Sequence, residues 1–252
     1  MNVIGGLKNA IAFLTILPVG MDPDAVAQAA EFMPTFPLIG AIIGLACGIL
    51  VWALEIFLPY SIVGFVGLGF LLLLTGVHHT DGLLDFGDAI MSHGSREEKL
   101  RIMRDPQTGA GGFSLGFVVL GATALGIAAI DRSFVIQSLI ASEAAAKFAM
   151  VFQAAAGESA HEGLSSPFVK AMHAKWGWTR LLVALILQLA ISVSVLRILG
   201  LALTISGLVV AAAVLLIAQR NIGGISGDVM GATNDLTRLV SLLVVMVGAR
   251  WA

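Results

Sequence analysis

Long apolar blocks, separated by either very tight or long polar connections, set the pattern of this chain. Uninterrupted apolar segments fall at 36–58, 61–77, 113–130, 134–156, 179–199, 201–218 and 239–251. Most approach the ~20 residues that a helix needs to cross a bilayer; the last is short. Pro59-Tyr60, the residues around Leu199-Gly200, and Asp131-Arg132-Ser133 read as tight turns, whereas 78–112, 157–178 and 219–238 are long and polar. Residues 1–17 differ. Ile4, Leu7, Ile11 and Leu14 recur at helical spacing, with Lys8, Asn9, Ala12 and Thr15 around the rest of the turn, which predicts an amphipathic helix lying in the membrane interface. Ala27-Gln28-Ala29 has the form of a signal-peptide cleavage box, but Pro18 interrupts the preceding apolar run and disfavours that reading. Asp22-Pro23-Asp24 predicts the start of a short helix with a carboxylate as N-cap. The expected fold is all-α: a polytopic integral membrane helical bundle of about seven membrane segments plus an N-terminal amphipathic helix, forming one domain over residues 1–252.

Composition strengthens this reading. Apolar residues make up 58% of the chain and charged residues 12%, about half the charged share of a soluble domain, and the mean hydropathy is +0.97. A net charge of −2 with no basic run argues against nucleic acid as a partner. The single cysteine, Cys47, excludes an intrachain disulfide and a cysteine-based zinc site. Counting segments puts the three long connections on one side, with Arg96, Lys99, Arg101, Arg104, Lys170, Lys175, Arg220 and Arg238. The other side carries Arg132, Arg197 and Arg250. The positive-inside rule then places the long connections and the N-terminus on the cytoplasmic side of the cell membrane. Gly40, Gly44 and Gly48 form a small-residue stripe suited to helix packing, and glycine-rich spans also permit a homo-oligomer.

The chemistry concentrates between Gly76 and Gly112. This stretch holds six of the 16 acidic residues, five of them within Asp81–Glu98, and four of the 14 basic ones. Asp81, Asp85 and Asp88 are spaced four and then three apart, so on a helix their carboxylates share one face. Like charges that close repel, and a bound divalent cation removes the conflict. Mg²⁺, with Mn²⁺ as a substitute, suits such oxygen ligands and keeps positions for water or substrate phosphate. His78 and His79 directly precede the cluster, and His79 is a candidate for proton transfer. Arg101 and Arg104 are candidates for neutralising phosphate, and Arg104-Asp105-Pro106 before Gly109 predicts a turn leading back to the site. The third long connection, 221–235, is glycine-dense. Gly224 and Gly227 would let backbone amides approach an anion, and Asp228 and Asn234 are further oxygen ligands or base candidates. Glu143 and Lys147, four apart in the fourth apolar segment, are expected to pair inside the bundle.

Together these stretches resemble the cobalamin synthase family, the adenosylcobinamide-GDP ribazoletransferases. The carriers are Phe13-Leu14-Thr15-Ile16-Leu17-Pro18, Phe36-Pro37-Leu38-Ile39-Gly40, His79-Thr80-Asp81-Gly82-Leu83-Leu84-Asp85-Phe86-Gly87-Asp88, Arg101-Ile102-Met103-Arg104-Asp105-Pro106 with Gly109-Ala110, and Gly223-Gly224-Ile225-Ser226-Gly227-Asp228 with Gly231-Ala232. Ile16 departs from the family pattern, which has a basic residue there in many members. The resemblance implies that α-ribazole, or its 5′-phosphate, is joined to adenosylcobinamide-GDP with loss of GMP, using Mg²⁺. It maps the family's aspartates onto Asp81, Asp85 and Asp88 as metal ligands, and its later Gly-Asp onto Asp228. Asp88, Asp228 and His79 are the candidate bases. Arg101, Arg104, Asp105, Gly224, Gly227 and Asn234 are the candidate substrate contacts. A CDP-alcohol phosphatidyltransferase fits less well, because Asp81-Gly82 is followed by Leu83-Leu84-Asp85 rather than by Ala-Arg and wider spacing. A transporter would call for inverted repeats and mid-bilayer acids.

Overall fold

The computed structural model describes residues 3–20 and 24–248. Asp22, Pro23, Arg250 and the end of the last predicted segment lie outside the described residues. All regular elements among the described residues are helical. An N-terminal pair, α1 (Val3–Leu14) and α2 (Ala25–Glu31), leads through a 3₁₀ turn at Met33–Thr35 into α3 (Phe36–Leu54) and α4 (Tyr60–Leu74). Then come α5 (His78–Met91), α6 (Arg96–Ile102), α7 (Ala110–Ala128), α8 (Val135–Ala156), α9 (Ser166–His173), α10 (Gly177–Leu196), α11 (Ile198–Asn221) and α12 (Gly227–Gly248). Six helical stretches, those ending in α3, α7, α8, α10, α11 and α12, are long and apolar enough to cross a membrane. The pair α4–α5 reaches that length and apolarity only when both helices are taken together, and a sharp bend separates them. Asp24 stands at the N-cap of α2, but its side chain makes no capping hydrogen bond.

Helix α8 is the central post, flanked by α3, α10, α11 and α12 and buried along most of its length. The glycine stripe explains how α3 reaches it. A Cβ on Gly40, Gly44 or Gly48 would collide with the α8 backbone at Glu143, Leu139 and Ile136. The outer face of α3 instead presents Leu38, Ile42, Leu45, Ile49 and Trp52. The largest apolar side chains thus face outward to lipid while small residues face protein, the reverse of a soluble core. Helix α1 follows the same rule. Its buried residues are Gly6, Asn9, Ala10 and Leu14, with Asn9 Nδ2 donating to Gln28 Oε1 at 3.0 Å, while Ile4 is exposed.

Two boundaries depart from expectation. The α10–α11 break falls at Arg197, which has φ +53°, and not at Gly200. Gly200 is spent on close approach, since a Cβ there would strike the Ser192 carbonyl. The larger correction concerns the third polar connection. It shrinks to residues 222–226, and α12 is a full 22-residue helix beginning at Gly227. The polar run Thr233-Asn234-Asp235 and Arg238 is therefore inside the bundle. Arg238 does not contribute to a surface loop, and Glu143 and Lys147 are not alone at depth.

Candidate active site

Helix α4 ends where Gly76 and Val77 both take left-handed conformations, φ +68° and +64°. The backbone amide of Val77 closes the end by donating to the Leu72 carbonyl at 2.9 Å. A β-branched residue with positive φ is rare, and here it turns the chain by 97°. Helix α5 accordingly lies across the bundle end, over the first turns of α7 and α12, instead of continuing through it.

Glycines set both crossings. A Cβ on Gly82 would sit 2.6 Å from Asp228 Cα, and one on Gly231 would sit 2.8 Å from the His79 carbonyl oxygen. With hydrogen at both positions, the α5 and α12 backbones touch, and Asp81 and Asp85 come beside Asp228. At the other end, Asp88 grips the start of α7. Its Oδ2 accepts from the Gly109 amide at 2.7 Å and its Oδ1 from the Gly112 amide at 2.8 Å. A carboxylate here satisfies amides that a helix start leaves unpaired and meets the positive end of the dipole. Gly109 does bring the chain back to the cluster, and any Cβ on Gly109 or Gly112 would run into Asp88.

The three α5 aspartates therefore divide. Asp88 is tied to α7, while Asp81 and Asp228 line a cavity of about 360 Å³. Asp85 lies between these groups. Burial, then the charges of Asp81, Asp228 and Asp88, push its carboxyl up to about 7. Among the described residues, no three His, Cys, Asp or Glu side chains close a metal cage. The oxygen-only donors nevertheless fit a Mg²⁺ ion that takes part of its shell from carboxylates and the rest from water and phosphate.

The loop before α12 is held from two sides. Arg96 Nε donates to the Ile222 carbonyl at 2.6 Å, and Lys99 Nζ to Asn221 Oδ1 at 2.6 Å. Across the loop, the Ile225 amide donates to the Glu158 carbonyl and the Ala160 amide to the Ile225 carbonyl, both at 2.8 Å. Gly224, with φ +156°, fits under Glu158 in this pairing. Ser226 Oγ lies 3.2 Å from Asp228 Oδ2 and accepts from the Val229 amide.

The remaining sequence candidates are dispersed. Gly227 lines the cavity with Asp228. Arg101 and Arg104 are exposed at the end of α6. Asp105 lines a separate cavity of about 400 Å³ beyond Asp88, where its Oδ1 accepts from the Gln107 amide. Asn234 is fully buried, its Oδ1 accepting from Lys147 Nζ at 2.6 Å and its Nδ2 donating to Asp235 Oδ1 at 3.0 Å.

Asn234 belongs to a network that the sequence pattern did not reveal. Arg238 Nε pairs with Glu143 Oε1, its Nη2 with Glu143 Oε2 at 3.2 Å, and its Nη1 with Asp235 Oδ1 at 2.6 Å. The expected Glu143–Lys147 pair is present at 3.5 Å, but Arg238 is the closer partner of Glu143. The Thr80 hydroxyl donates to Asp235 Oδ2 at 2.8 Å. The carboxylate-bearing helix is thereby fastened to the bundle core. Next to Thr80, burial holds the His79 imidazole well below its ordinary value, with Lys147, Arg238 and His78 adding to the effect.

Comparison with known proteins adds an independent line. A family model described as cobalamin-5-phosphate synthase matches residues 6–246. Proteins named adenosylcobinamide-GDP ribazoletransferase are similar over nine-tenths or more of their length. The Methanocella arvoryzae protein is 34% identical over 96% of this chain and 95% of its own. The Halorubrum lacusprofundi protein is 36% identical over 95% and 96%, and the Thermoanaerobacter pseudethanolicus protein 29% over 96% and 97%. No solved structure gives a significant match.

Proposed function

The chain belongs to the cobalamin-5-phosphate synthase family, and from that premise we propose that it is an adenosylcobinamide-GDP ribazoletransferase. It joins α-ribazole, or α-ribazole 5′-phosphate, to adenosylcobinamide-GDP and releases GMP. The reaction is a displacement at a diphosphate. A bond forms between the acceptor's ribose oxygen and phosphorus, the bond to the departing GMP breaks, and the hydroxyl proton passes to a base. The observation that carries this assignment is the meeting of Asp81 and Asp228 on the wall of one cavity, with Asp85 close enough to feel the charge of both. Neither a lipid-forming phosphatidyltransferase nor a transporter is supported by the family match.

Asp81 and Asp228, with Asp85 beside them, would offer carboxylate oxygens to a Mg²⁺ ion that takes the rest of its shell from water and substrate phosphate. Once bound, the ion would supply charge stabilisation on the diphosphate oxygens. Asp228, in the first turn of α12 and on the cavity wall, is placed to take the hydroxyl proton. Its link with Ser226 keeps the carboxylate oriented. His79, held neutral, faces the same cavity and serves as a hydrogen-bonding group for the acceptor. Asp88 acts by position, locking α5 to α7. Arg101 and Arg104, on the basic and therefore cytoplasmic side, meet the nucleotide phosphates as it enters and leaves.

The test is GMP release by the purified protein from adenosylcobinamide-GDP with α-ribazole, with and without Mg²⁺. Metal-dependent GMP with a corrinoid product is expected. No GMP under any metal condition would reject the assignment.

A further inference from the structure

The lining of the cavity at Asp81 and Asp228 is chemically mixed, and this bears on which substrate lies in it. Beside the carboxylates and His79 it is largely apolar, with Phe13 from α1, Met150 from α8, Met230 from α12, Phe168 from α9 and Leu164 just before α9. Phe13 and Phe168 pack with ring centroids 4.6 Å apart, tilted by 41°, and Phe36 backs both. Ser165 is part of this wall. It is 2% exposed, and its Oγ has no hydrogen-bond partner; nor has Nδ1 of the buried His79. Buried polar atoms without partners are uncommon in folded proteins, and two on one cavity wall point to a ligand that supplies the missing bonds.

We propose, resting on the reading above, that this cavity is the acceptor site, with the azole base against the apolar lining and its ribose at the carboxylates. Ser165 and Leu164 then determine base selectivity. The volume, about 360 Å³, lies at the small end of ligand sites. It suits a fused aromatic ring with a sugar and is far too small for a corrinoid macrocycle. Guanine, the other base in the reaction, presents donors and acceptors along its whole edge, and the apolar lining would leave most of them unpaired. An azole riboside has a single free ring nitrogen, an acceptor, and the Ser165 hydroxyl is a single donor. The ribose hydroxyl then lies toward Asp81 and Asp228, where the phosphorus must arrive. The N-terminal α1, through Phe13, contributes to this lining, which gives the amphipathic helix a part in substrate selection.

The test uses the full chain in lipid nanodiscs and measures binding by calorimetry with three probes: benzimidazole riboside, indole riboside, which lacks the free ring nitrogen, and adenosylcobinamide-GDP. Wild type should prefer the benzimidazole over the indole riboside by about tenfold. Ser165→Ala should erase that preference. Leu164 is 61% exposed, so Leu164→Trp should fold normally and fill the cavity, weakening both ribosides more than tenfold while leaving adenosylcobinamide-GDP affinity unchanged. Unaltered riboside binding in Leu164→Trp, or loss of adenosylcobinamide-GDP binding instead, would overturn the assignment. GMP release by wild type, assayed in parallel, separates the two failures. If it persists while the riboside results fail, only the acceptor site is wrong. If GMP release and riboside binding are both absent, both are wrong.

Discussion

Two groups of charged side chains meet α5 at adjacent residues, Thr80 and Asp81, and they are organised in opposite ways. Around Thr80 and Arg238 the set is closed. Glu143 and Asp235 face Arg238 and Lys147, two acids against two bases, and Asn234 and Thr80 take further hydrogen-bonding positions. Around Asp81, Asp85 and Asp228 the set is open, because acid meets acid and each neighbour raises the cost of ionising Asp85. Both sets sit in a chain with only 12% charged residues. The contrast teaches that buried charge serves architecture where the protein supplies the counter-charge, and chemistry where the counter-charge comes from outside. We propose that a divalent cation, followed by the substrate diphosphate, completes the open set.

The strongest way to break this contrast is to neutralise the open set. Asp81→Asn or Asp228→Asn should reduce GMP release on the order of 10³-fold, several kcal/mol of lost transition-state stabilisation. Elution volume and melting temperature should be preserved, as measured by size-exclusion chromatography and scanning fluorimetry. The closed set should respond the other way round. Arg238→Met leaves Glu143 and Asp235 short of a partner and should destabilise the fold by about 3–5 kcal/mol. The double change Glu143→Gln with Arg238→Met should cost less than Arg238→Met alone, which chemical unfolding can measure.

Thr80 joins the two sets and gives a finer test. Thr80→Val removes the bond to Asp235 without touching substrate. It should lower kcat about tenfold with KM unchanged, and stability by about 1 kcal/mol. The smallest effect is a pH dependence. Asp85 has a raised value in the folded protein, so between its unfolded value and about 7 the folded state holds more protons than the unfolded state. Metal-free protein should therefore lose stability as pH rises from about 5 to 8. Asp85→Asn should flatten that slope, and Mg²⁺ should raise Tm more at pH 8 than at pH 6.

Much of this could be read from the residues in order, and the reasons it failed elsewhere are physical. The spanning segments were legible because lipid leaves no alternative to long apolar helices. The role of Gly40, Gly44 and Gly48 was legible because close packing in lipid needs small residues. Asp81, Asp85 and Asp88 were legible as one helical face, but the start of α7, which captures Asp88, is 21 residues away from it in sequence. The start of α12 was hidden, because Asn234, Asp235 and Arg238 make the segment as polar as a loop. Their spacing of three and four is helical, and with Glu143 and Lys147 in the fourth span it was the available signal. Ser165 carried none, since its isolation is visible only once α1, α8 and α12 converge on it.

The most direct measurement is Mn²⁺ uptake, read as loss of the free-ion EPR signal during titration of the protein with adenosylcobinamide-GDP present. Wild type should remove Mn²⁺ from solution at micromolar concentration, while Asp81→Asn and Asp228→Asn should leave the free-ion signal nearly intact, and Thr80→Val should bind as wild type does. Equal uptake by wild type and both aspartate variants would contradict the claim that the open carboxylate set is balanced by a cation.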